Sequence, residues 1–464
     1  MIKIFIPNNY IQERSYIIHV IFVEFLGLKV DVIVSDIDYV SIQLDGHEEL
    51  VLRDGLFAVD GSEWLQSGSL PTLPLKKWDL SELPIRTPIP HQFVPVLFST
   101  GFAENNFTCI SEDKITLEVD ILGSSFFILT RYEEYVNSQH DQFDRFPAKA
   151  SIAYQENFIT RPIVNEYLEI LWALLNHLWP LLKRKTRNYR VVVSHDVDVP
   201  FSIKGNSSLQ YTRNIIGDLF VRKDSRLALA RVVSIVKYKL GFAYHDINDT
   251  FGFIMDASDQ YGCQSTFNFM ASQPEYDVDF RYSLNDERVQ KLMYSIYSRG
   301  HKLGFHSSLH SYNRPEIIFN ESMYLRQLMD SLGITQTYLG GRQHYLCWQN
   351  PITWQGWSDA NLDEDSTLGF ADCIGFRCGV CYSYSVFNLK TRKHLSLIES
   401  PLIAMDVCLT NYMKRSHNEI ICDLRDIAME CRYYNGEMSL LWHNDCLIRQ
   451  GDRDLYHKVL SDIN

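Results

Sequence analysis

The sequence predicts an α/β protein whose larger, C-terminal part alternates strands and helices in the manner of a (β/α) barrel. Residues 190–193 (Arg-Val-Val-Val) are rich in branched apolar side chains, which is typical of a buried parallel strand. Further short apolar runs occur at 265–270, 303–305, 335–339, 395–399 and 438–442. Between several of these runs, apolar residues recur at helical spacing, as at 254–261, 289–296 and 325–332. Strand and helix signals in regular alternation favour a parallel sheet covered by helices.

The first part of the chain has a different pattern. Strand-like runs at 29–34 and 39–44 precede a proline-rich connector at 70–95 and a helical stretch at 161–182. We therefore expect a smaller mixed α+β domain at 1–185, ending in a charged linker at 183–188, ahead of the barrel domain at 186–464.

Two carboxylates and two imidazoles follow predicted strands. Asp196 and Asp198 come directly after the strand at 190–193, while His306 and His310 follow the run at 303–305 with four-residue spacing. α/β folds bind ligands at the carboxyl ends of their strands. One Asp and two His are a sufficient ligand set for a catalytic divalent metal, which leaves the second Asp to act as a base.

From about residue 189 onward, the chain resembles the NodB-homology polysaccharide deacetylases of carbohydrate esterase family 4. The segment 194–198 resembles the Asp-Asp turn of that family, and 306–310 resembles its His-Ser/Thr-x-x-His motif. Residues 342–345 (Arg-Gln-His-Tyr) resemble an Arg-x-Pro-Tyr turn, and 440–443 resemble a Leu-x-His strand end. Asp365 opens the loosest, fourth segment. The resemblance implies a distorted (β/α)7 barrel preceded by an accessory domain.

Two departures from the family pattern affect the assignment of roles. Val197 separates the two aspartates, and some relatives with an Asp-Val-Asp or Asp-Val-Glu turn use the second acid as a ligand, which favours Asp198. His344 stands where the family has proline.

The resemblance implies a role for each matched residue. Asp198, His306 and His310 would bind one divalent metal ion. Zn²⁺ is the expected ion, with Co²⁺, Ni²⁺, Mn²⁺ or Fe²⁺ as alternatives. Asp196 would be the base and Arg342 would hold it. The backbone N–H of Tyr345 would bind the oxyanion that forms on the substrate carbonyl. His443 would protonate the leaving amine.

The implied activity is hydrolysis of the N-acetyl group of an N-acetylhexosamine unit in a glycan or glycan precursor, with ester or cyclic amide hydrolysis as close variants. Two other classes stay open. Two His and one carboxylate also form the facial triad of iron oxygenases, although those enzymes usually have jelly-roll folds. A non-catalytic carbohydrate-binding descendant is the other alternative, and the joint presence of Asp196, His443 and the histidine pair speaks against it.

Composition limits the partners. The net charge of −13 disfavours nucleic acid. Because the start of the chain lacks the pattern of a secretory signal, we expect a cytoplasmic protein acting on a nucleotide- or lipid-linked sugar. The pair Cys378 and Cys381 has no second pair at zinc spacing, so we interpret both as buried structural thiols.

A basic helical insertion is predicted at about 201–249. Between 201 and 240 it carries eight Lys or Arg against two Asp; the basic residues are Lys204, Arg213, Arg222, Lys223, Arg226, Arg231, Lys237 and Lys239. One interpretation is a solvated helical pair. The other is a cap over the active-site mouth that contacts a phosphorylated carrier or the anionic inner face of a membrane.

Overall fold

The structure is a computed structural model that describes residues 1–44, 46–100, 107–205, 208–220, 223–271 and 282–464. For residues 204, 205 and 208–210 it describes the backbone only. Within these ranges, none of the helices combines the length and the apolar character that crossing a bilayer requires.

The N-terminal part is built on its own six-stranded sheet, with strand order β2-β1-β3-β4-β8-β7 and a separate β5–β6 hairpin. The strands are β1 (Ile2–Pro7), β2 (Val30–Ser35), β3 (Tyr39–Gln43), β4 (Glu49–Arg53), β5 (Lys76–Asp79), β6 (Phe93–Val96), β7 (Thr108–Ile110) and β8 (Lys114–Leu117). The helices are α1 (Ile11–Ile18), α2 (Ile121–Leu129), α3 (Tyr132–Val136), α4 (Ile152–Gln155) and α5 (Ile163–Leu178). The expected mixed α+β character is therefore present.

The C-terminal part alternates strands and helices along most of its length. Its strands are β9 (Arg190–Val197), β10 (Thr266–Met270), β11 (Lys302–Ser307), β12 (Gly340–Gln343), β13 (Glu364–Asp365), β14 (Tyr384–Asn388), β15 (Lys393–Glu399), β16 (Ala404–Met405) and β17 (Glu437–Leu441). Its helices are α6 (Ser202–Gly205), α7 (Ser208–Phe220), α8 (Ser225–Lys239), α9 (Phe251–Gln260), α10 (Glu287–Ser298), α11 (Pro315–Ser331), α12 (Ile352–Asp359), α13 (His417–Tyr433) and α14 (Gln450–Ile463).

These nine strands form one sheet in the order β14-β15-β13-β12-β11-β10-β9-β17-β16. Eight of them are parallel, and β14 pairs antiparallel with β15 at one edge. The parallel α/β architecture is as predicted, but among the described residues the sheet is open rather than a closed seven-stranded barrel. On a flat sheet β9 and β12 would lie about 14 Å apart, at ~4.8 Å per strand. Side chains after these two strands approach within 3.9 Å, so the sheet curls strongly.

One predicted strand was wrong. The run at 335–339 lies before β12, which begins at the two glycines Gly340 and Gly341. A Cβ on Gly341 would lie 1.8 Å from the carbonyl oxygen of Phe305 on β11, so only glycine allows this close approach. A glycine pair usually indicates a turn, and here it instead lets β12 pair tightly with β11.

The two parts of the chain share a continuous apolar core that runs from Ile2 to Ile463. Polar contacts also cross between them: Arg377 pairs with Glu134 at 2.6 Å, and the Cys381 N–H donates to the Asn165 side chain at 3.1 Å. The N-terminal part is thus packed firmly onto the C-terminal part. The domain limits at residue 185 stay a prediction.

Candidate active site

A cavity of about 380 Å³ opens at the carboxyl ends of the parallel strands. Its wall includes Asp196, Asp198, His306 and His443, all predicted as site residues, together with His344. A volume of this size is within the range of small-molecule sites, and the curl of the sheet is what brings the strand ends together around it.

Asp198, His306 and His344 form a group of potential metal ligands. Their ligand atoms all lie within 4.8 Å of one another, and this is the one such group among the described residues. Asp198 Oδ1 is 3.3 Å from His306 Nε2, and Asp198 Oδ2 is 3.9 Å from His344 Nε2. Two imidazoles and one carboxylate at this spacing suit a catalytic divalent metal with positions left for water and substrate.

Two further observations fit a metal at this group. His306 donates from Nδ1 to the backbone carbonyl of Arg342 at 2.9 Å, which directs its Nε2 into the cavity. Metal-bound histidines are usually oriented by such a bond. Asp198 Oδ1 is buried and has no hydrogen-bond partner among the described residues. An unsatisfied buried carboxylate oxygen is costly, and a cation would satisfy it.

His310 lies outside this group. Strand β11 ends at Ser307, and the chain then enters a 3₁₀ turn at Leu309–Ser311 in which His310 is exposed. Four-residue spacing brings two side chains to the same face only within one regular helix or strand, and here the strand ends between His306 and His310. The buried contacts of this turn are instead made by serines around the Glu321 carboxylate, which accepts from the Ser308 N–H at 3.0 Å. The close group of potential ligands thus contains His344 and does not contain His310, whose role as a ligand stays a prediction from the motif.

The signal for His344 was present in the sequence, as the histidine in place of the family's proline. It follows the last residue of β12 directly, just as Asp198 follows β9. Its ring lies 5.1 Å from that of His306. The histidine that departs from the family's Arg-x-Pro-Tyr turn is therefore a member of the potential metal-binding group.

Asp196 is buried and firmly held. Its Oδ1 accepts from Arg342 Nη1 at 3.1 Å and from Asn268 Nδ2 at 2.7 Å, while Oδ2 lies 3.9 Å from His306 Nε2. Burial raises the pKa of this carboxyl, but the Arg342 guanidinium and the neighbouring imidazoles lower it further than burial raises it. Arg342 is itself anchored by Ser194 Oγ at 2.9 Å and by the Ser366 carbonyl at 3.0 Å. The predicted pair of Arg342 and Asp196 is therefore brought together.

His443 is oriented by a second buried acid. Its Nδ1 lies 2.8 Å from Asp406 Oδ1, and its backbone N–H donates to Asp406 Oδ2, also at 2.8 Å. Nε2 then faces Asp198 Oδ2 at 3.8 Å. Although burial lowers the pKa of His443, the Asp406 carboxylate and the two site aspartates raise it to about 10. The imidazole is therefore held in the protonated form in this arrangement.

Tyr345 follows His344 in a strained turn at the cavity wall. Tyr345 and Leu346 both have left-handed backbone conformations, with φ of 60° and 59°. Residues other than glycine adopt this conformation at a cost, and it is concentrated at functional sites. Arg145, from the N-terminal part, lines the same cavity and donates from Nη1 to the Tyr345 carbonyl at 3.3 Å.

Sequence reasoning missed Asn268, Asp406 and Arg145. Asn268 is the register partner of Asp196 across the β9–β10 pair, a relationship that requires the strand alignment to be known. Asp406 follows the two-residue strand β16, and the short apolar run before it was the available signal. Arg145 is about fifty residues away from the nearest predicted site residue, so only the packing of the two parts reveals it.

Two other predicted features lie away from the cavity. Cys378 and Cys381 are buried free thiols, as expected for structural cysteines. Asp365 is fully buried, accepts from the Thr367 N–H at 3.0 Å and is the register partner of Glu399 across the β13–β15 pair. Burial raises the pKa of Asp365 to about 7.

Comparison with known proteins gives the following matches. Residues 2–180 match DUF7033, a family of unknown function. No curated protein matches the chain. A protein from Mycobacterium smegmatis described as a polysaccharide deacetylase is 14% identical, covering 60% of this chain and 85% of its own, with a TM-score of 0.39.

Two further solved structures are similar over the same share of the chain. The CE4 domain of a multidomain xylanase from the hindgut metagenome of Trinervitermes trinervoides is 11% identical, with 60% and 82% of the two chains covered and a TM-score of 0.29. An allantoinase is 10% identical, with 59% and 84% covered and a TM-score of 0.36.

Proposed function

We propose that this protein is a metal-dependent hydrolase that removes the N-acetyl group from an N-acetylhexosamine unit of a glycan or glycan precursor. The observation that carries the proposal is the composition of one cavity. A potential metal-binding group lies between a buried carboxylate, Asp196, and an imidazole backed by a carboxylate, His443 with Asp406. Amide hydrolysis needs an activated water, a polarised carbonyl and a proton for the leaving amine, and this set can supply all three.

The metal would be held by Asp198, His306 and His344. The donor set of two imidazoles and one carboxylate suits Zn²⁺ best, with Co²⁺, Ni²⁺, Mn²⁺ and Fe²⁺ as alternatives. When bound, such an ion lowers the pKa of water and polarises a carbonyl oxygen. The unsatisfied Oδ1 of Asp198 and the oriented Nε2 of His306 support this assignment.

Asp196 would take the proton from the attacking water. Its Oδ1 is occupied by Arg342 and Asn268, so Oδ2 is the atom that accepts the proton. The lowered pKa keeps the carboxylate ionised before the reaction, as a base must be. Arg342 fixes the position of Asp196 and offsets the cost of burying its charge.

His443 would protonate the amine as it leaves. Asp406 accepts the Nδ1 proton, which leaves the Nε2–H directed toward the cavity as the group that donates. The tautomer and the ring orientation are therefore set by one buried carboxylate. The backbone N–H of Tyr345 would stabilise the developing oxyanion, and Arg145 would hold that turn in place through the Tyr345 carbonyl.

The experiment that tests this function is acetate release from N-acetylated glucosamine oligosaccharides by purified protein, with bound metal quantified in the same sample. We expect one free amine for each acetate, loss of release after chelation, and recovery on adding Zn²⁺ or Co²⁺. Full metal occupancy with no release from glycans, nucleotide sugars or lipid-linked sugars would overturn the proposal. Oxygen consumption with bound iron would instead indicate an oxygenase, and sugar binding without release a binding protein.

A further inference from the structure

The described part of the basic insertion forms two helices that begin near the metal-ligand turn, and we call them the hairpin, defined as residues 208–220 and 223–242. Val199 follows Asp198 by one residue, lines the cavity, and its carbonyl accepts from Asn248 at 3.2 Å. Asp246 closes the base of the insertion by accepting from the Ser202 N–H and hydroxyl, both at 2.8 Å. The chain therefore leaves the cavity rim, forms α7 and α8, and returns to the same rim.

A buried ion pair lies between the two helices. The buried residues of α8 are Ala228, Arg231 and Ser234, and those of α7 outside its first three residues are Tyr211 and Asp218. Arg231 Nε and Asp218 Oδ2 form the ion pair at 2.6 Å. The larger apolar residues Ile215, Leu227 and Ile235 are only half-buried, so small, aromatic and charged groups make up the fully buried part of the hairpin.

Most of the large apolar residues of α8 lie on its exposed side, while Leu227 and Ile235 are half-buried. Five of them recur at helical spacing as one stripe and are 39–65% exposed: Leu229, Val232, Val233, Val236 and Leu240. Ile216, Leu219 and Phe220 add a second exposed group on α7. Of the 25 large apolar side chains exposed in the described part of the chain, ten lie between residues 216 and 242. This arrangement is the reverse of an ordinary surface helix, whose apolar stripe faces the core.

Exposed basic residues flank the stripe on α8. At roughly 100° per residue, Arg226 and Lys237 fall on one side of it and Lys239 on the other. Arg213 and Lys223 are exposed on the remainder of the hairpin. Arg222 lies outside the described residues, and the side chain of Lys204 is not described. Local basic charge in a chain of net charge −13 favours an anionic partner.

We propose that the hairpin is a docking surface for an anionic lipid membrane, with the α8 stripe in the headgroup region and the flanking cations on lipid phosphates. An apolar stripe between basic flanks is the arrangement of helices that lie in the plane of a bilayer interface. A second copy of this chain fits less well, because two hairpins face to face would bring the same cations together. Docking would bring the cavity rim to the bilayer, so that, on the proposed function, the N-acetylated sugar would be carried on a lipid.

The test is co-sedimentation of the full chain with vesicles of phosphatidylcholine alone or with phosphatidylglycerol added. We expect binding to the anionic vesicles that weakens with salt. Replacing Leu229, Val233 and Val236 by Ser should abolish it. Neutralising Arg226, Lys237 and Lys239 to Gln should lower partitioning roughly 100-fold at low salt, at about fivefold for each charge.

Phe319 and Met429 are exposed apolar residues on other helices, and their replacement by Ser is the matched control. It should leave vesicle binding unchanged. Metal content and the melting temperature of every variant show whether it is folded. Equal binding by the wild type and both hairpin variants, or no binding to anionic vesicles, would overturn the proposal. Self-association that is lost in the Ser variant, without vesicle binding, would identify a second copy as the partner. Because vesicle binding needs no turnover, its failure is distinguishable from failure of the proposed hydrolysis.

Discussion

Arg145 donates a hydrogen bond to the carbonyl of Tyr345, 3.3 Å away and 200 residues further along the chain. Arg145 lies within the segment that matches the family of unknown function, and Tyr345 lies in the strained turn at the cavity wall. The guanidinium is also held by Asp141 at 2.6 Å and donates to the Tyr412 hydroxyl at 3.0 Å. The N-terminal part therefore supplies a piece of the cavity itself.

The first prediction follows from this bond. Arg145→Lys should lower kcat/KM about 10- to 100-fold, since a charged hydrogen bond to the turn contributes about 1.5–3 kcal/mol. Metal content should not change, because Arg145 contacts no proposed ligand. Arg161→Lys is the matched control, as Arg161 pairs with Glu166 in the same part of the chain away from the cavity. Equal activity of the two variants per folded molecule would contradict a role for Arg145 in positioning the turn.

The second prediction separates His344 from His310 as the third metal ligand. Asp198→Ala, His306→Ala and His344→Ala should each lower bound zinc, because two protein ligands hold the ion poorly. His310→Ala should retain zinc at the wild-type stoichiometry, since His310 is exposed outside the group. Metal analysis after dialysis gives the answer directly. Loss of zinc in His310→Ala with retention in His344→Ala would restore the assignment made from the motif.

The third prediction concerns Asp406, which the motifs did not indicate. Asp406→Asn should reduce turnover about 10²-fold or more with zinc retained, because His443 loses the acceptor that fixes its tautomer. In a double-mutant cycle with His443→Ala the two losses should not add, since Asp406 acts through the imidazole of His443. Additive losses in acetate release would show that Asp406 acts independently of His443.

The fourth prediction distinguishes base from acid. Asp196→Asn should retain zinc and reduce turnover about 10²–10⁴-fold, the usual effect of losing a general base. With an activated aryl acetate, whose leaving group needs no proton, the turnover of His443→Ala should come closer to that of the wild type than the turnover of Asp196→Asn does. Zinc retained in Asp198→Asn but lost in Asp196→Asn would reverse the roles of the two aspartates.

The fifth prediction is a pH dependence of stability. Burial raises the pKa of Asp365 to about 7, and burial together with the neighbouring Asp365 carboxylate raises that of Glu399 well above its usual range. Between about pH 4 and 7 the folded chain therefore binds more protons at Asp365 than the unfolded chain does. The free energy of unfolding contributed by this residue consequently falls as the pH rises through that window.

Asp365→Asn should remove that part of the dependence. The free energy of unfolding of the metal-free protein should be measured by chemical denaturation at pH 5 and at pH 8. The decrease from pH 5 to pH 8 should be smaller for the variant than for the wild type. Asp38→Asn, an exposed acid on the N-terminal part, is the control. An identical difference in wild type and Asp365→Asn would show that Asp365 titrates as it does in the unfolded chain.

Much of the fold and part of the site were predictable because their signals are local. The apolar run of β9 and the helical spacing of apolar residues at 289–296 both reflect which side chains of one element are buried, so each can be recognised within a few residues of the chain. That Asp196, Asp198, His306 and His443 share one cavity was predictable because each lies at or just beyond the carboxyl end of a strand, and parallel strands bring those ends to one edge. The prediction of a strand at 335–339 was wrong because the strand begins at the glycines of β12. Gly341 is required by the close approach of its backbone to β11, and no local sequence pattern indicates that approach.

The sequence by itself determined which residue types are available at the strand ends, and with them the metal ligands, acids and bases on which the proposed function rests. Only the tertiary structure decided which of them meet. His344 joins Asp198 and His306 because the sheet curls, whereas His310 turns to solvent because β11 ends in a 3₁₀ turn. Arg145 and Asp406 reach the cavity through packing between distant segments. Distances between side chains across a folded sheet depend on the order of the strands and on the curvature of the sheet. The spacing of residues along the chain gives no information on either.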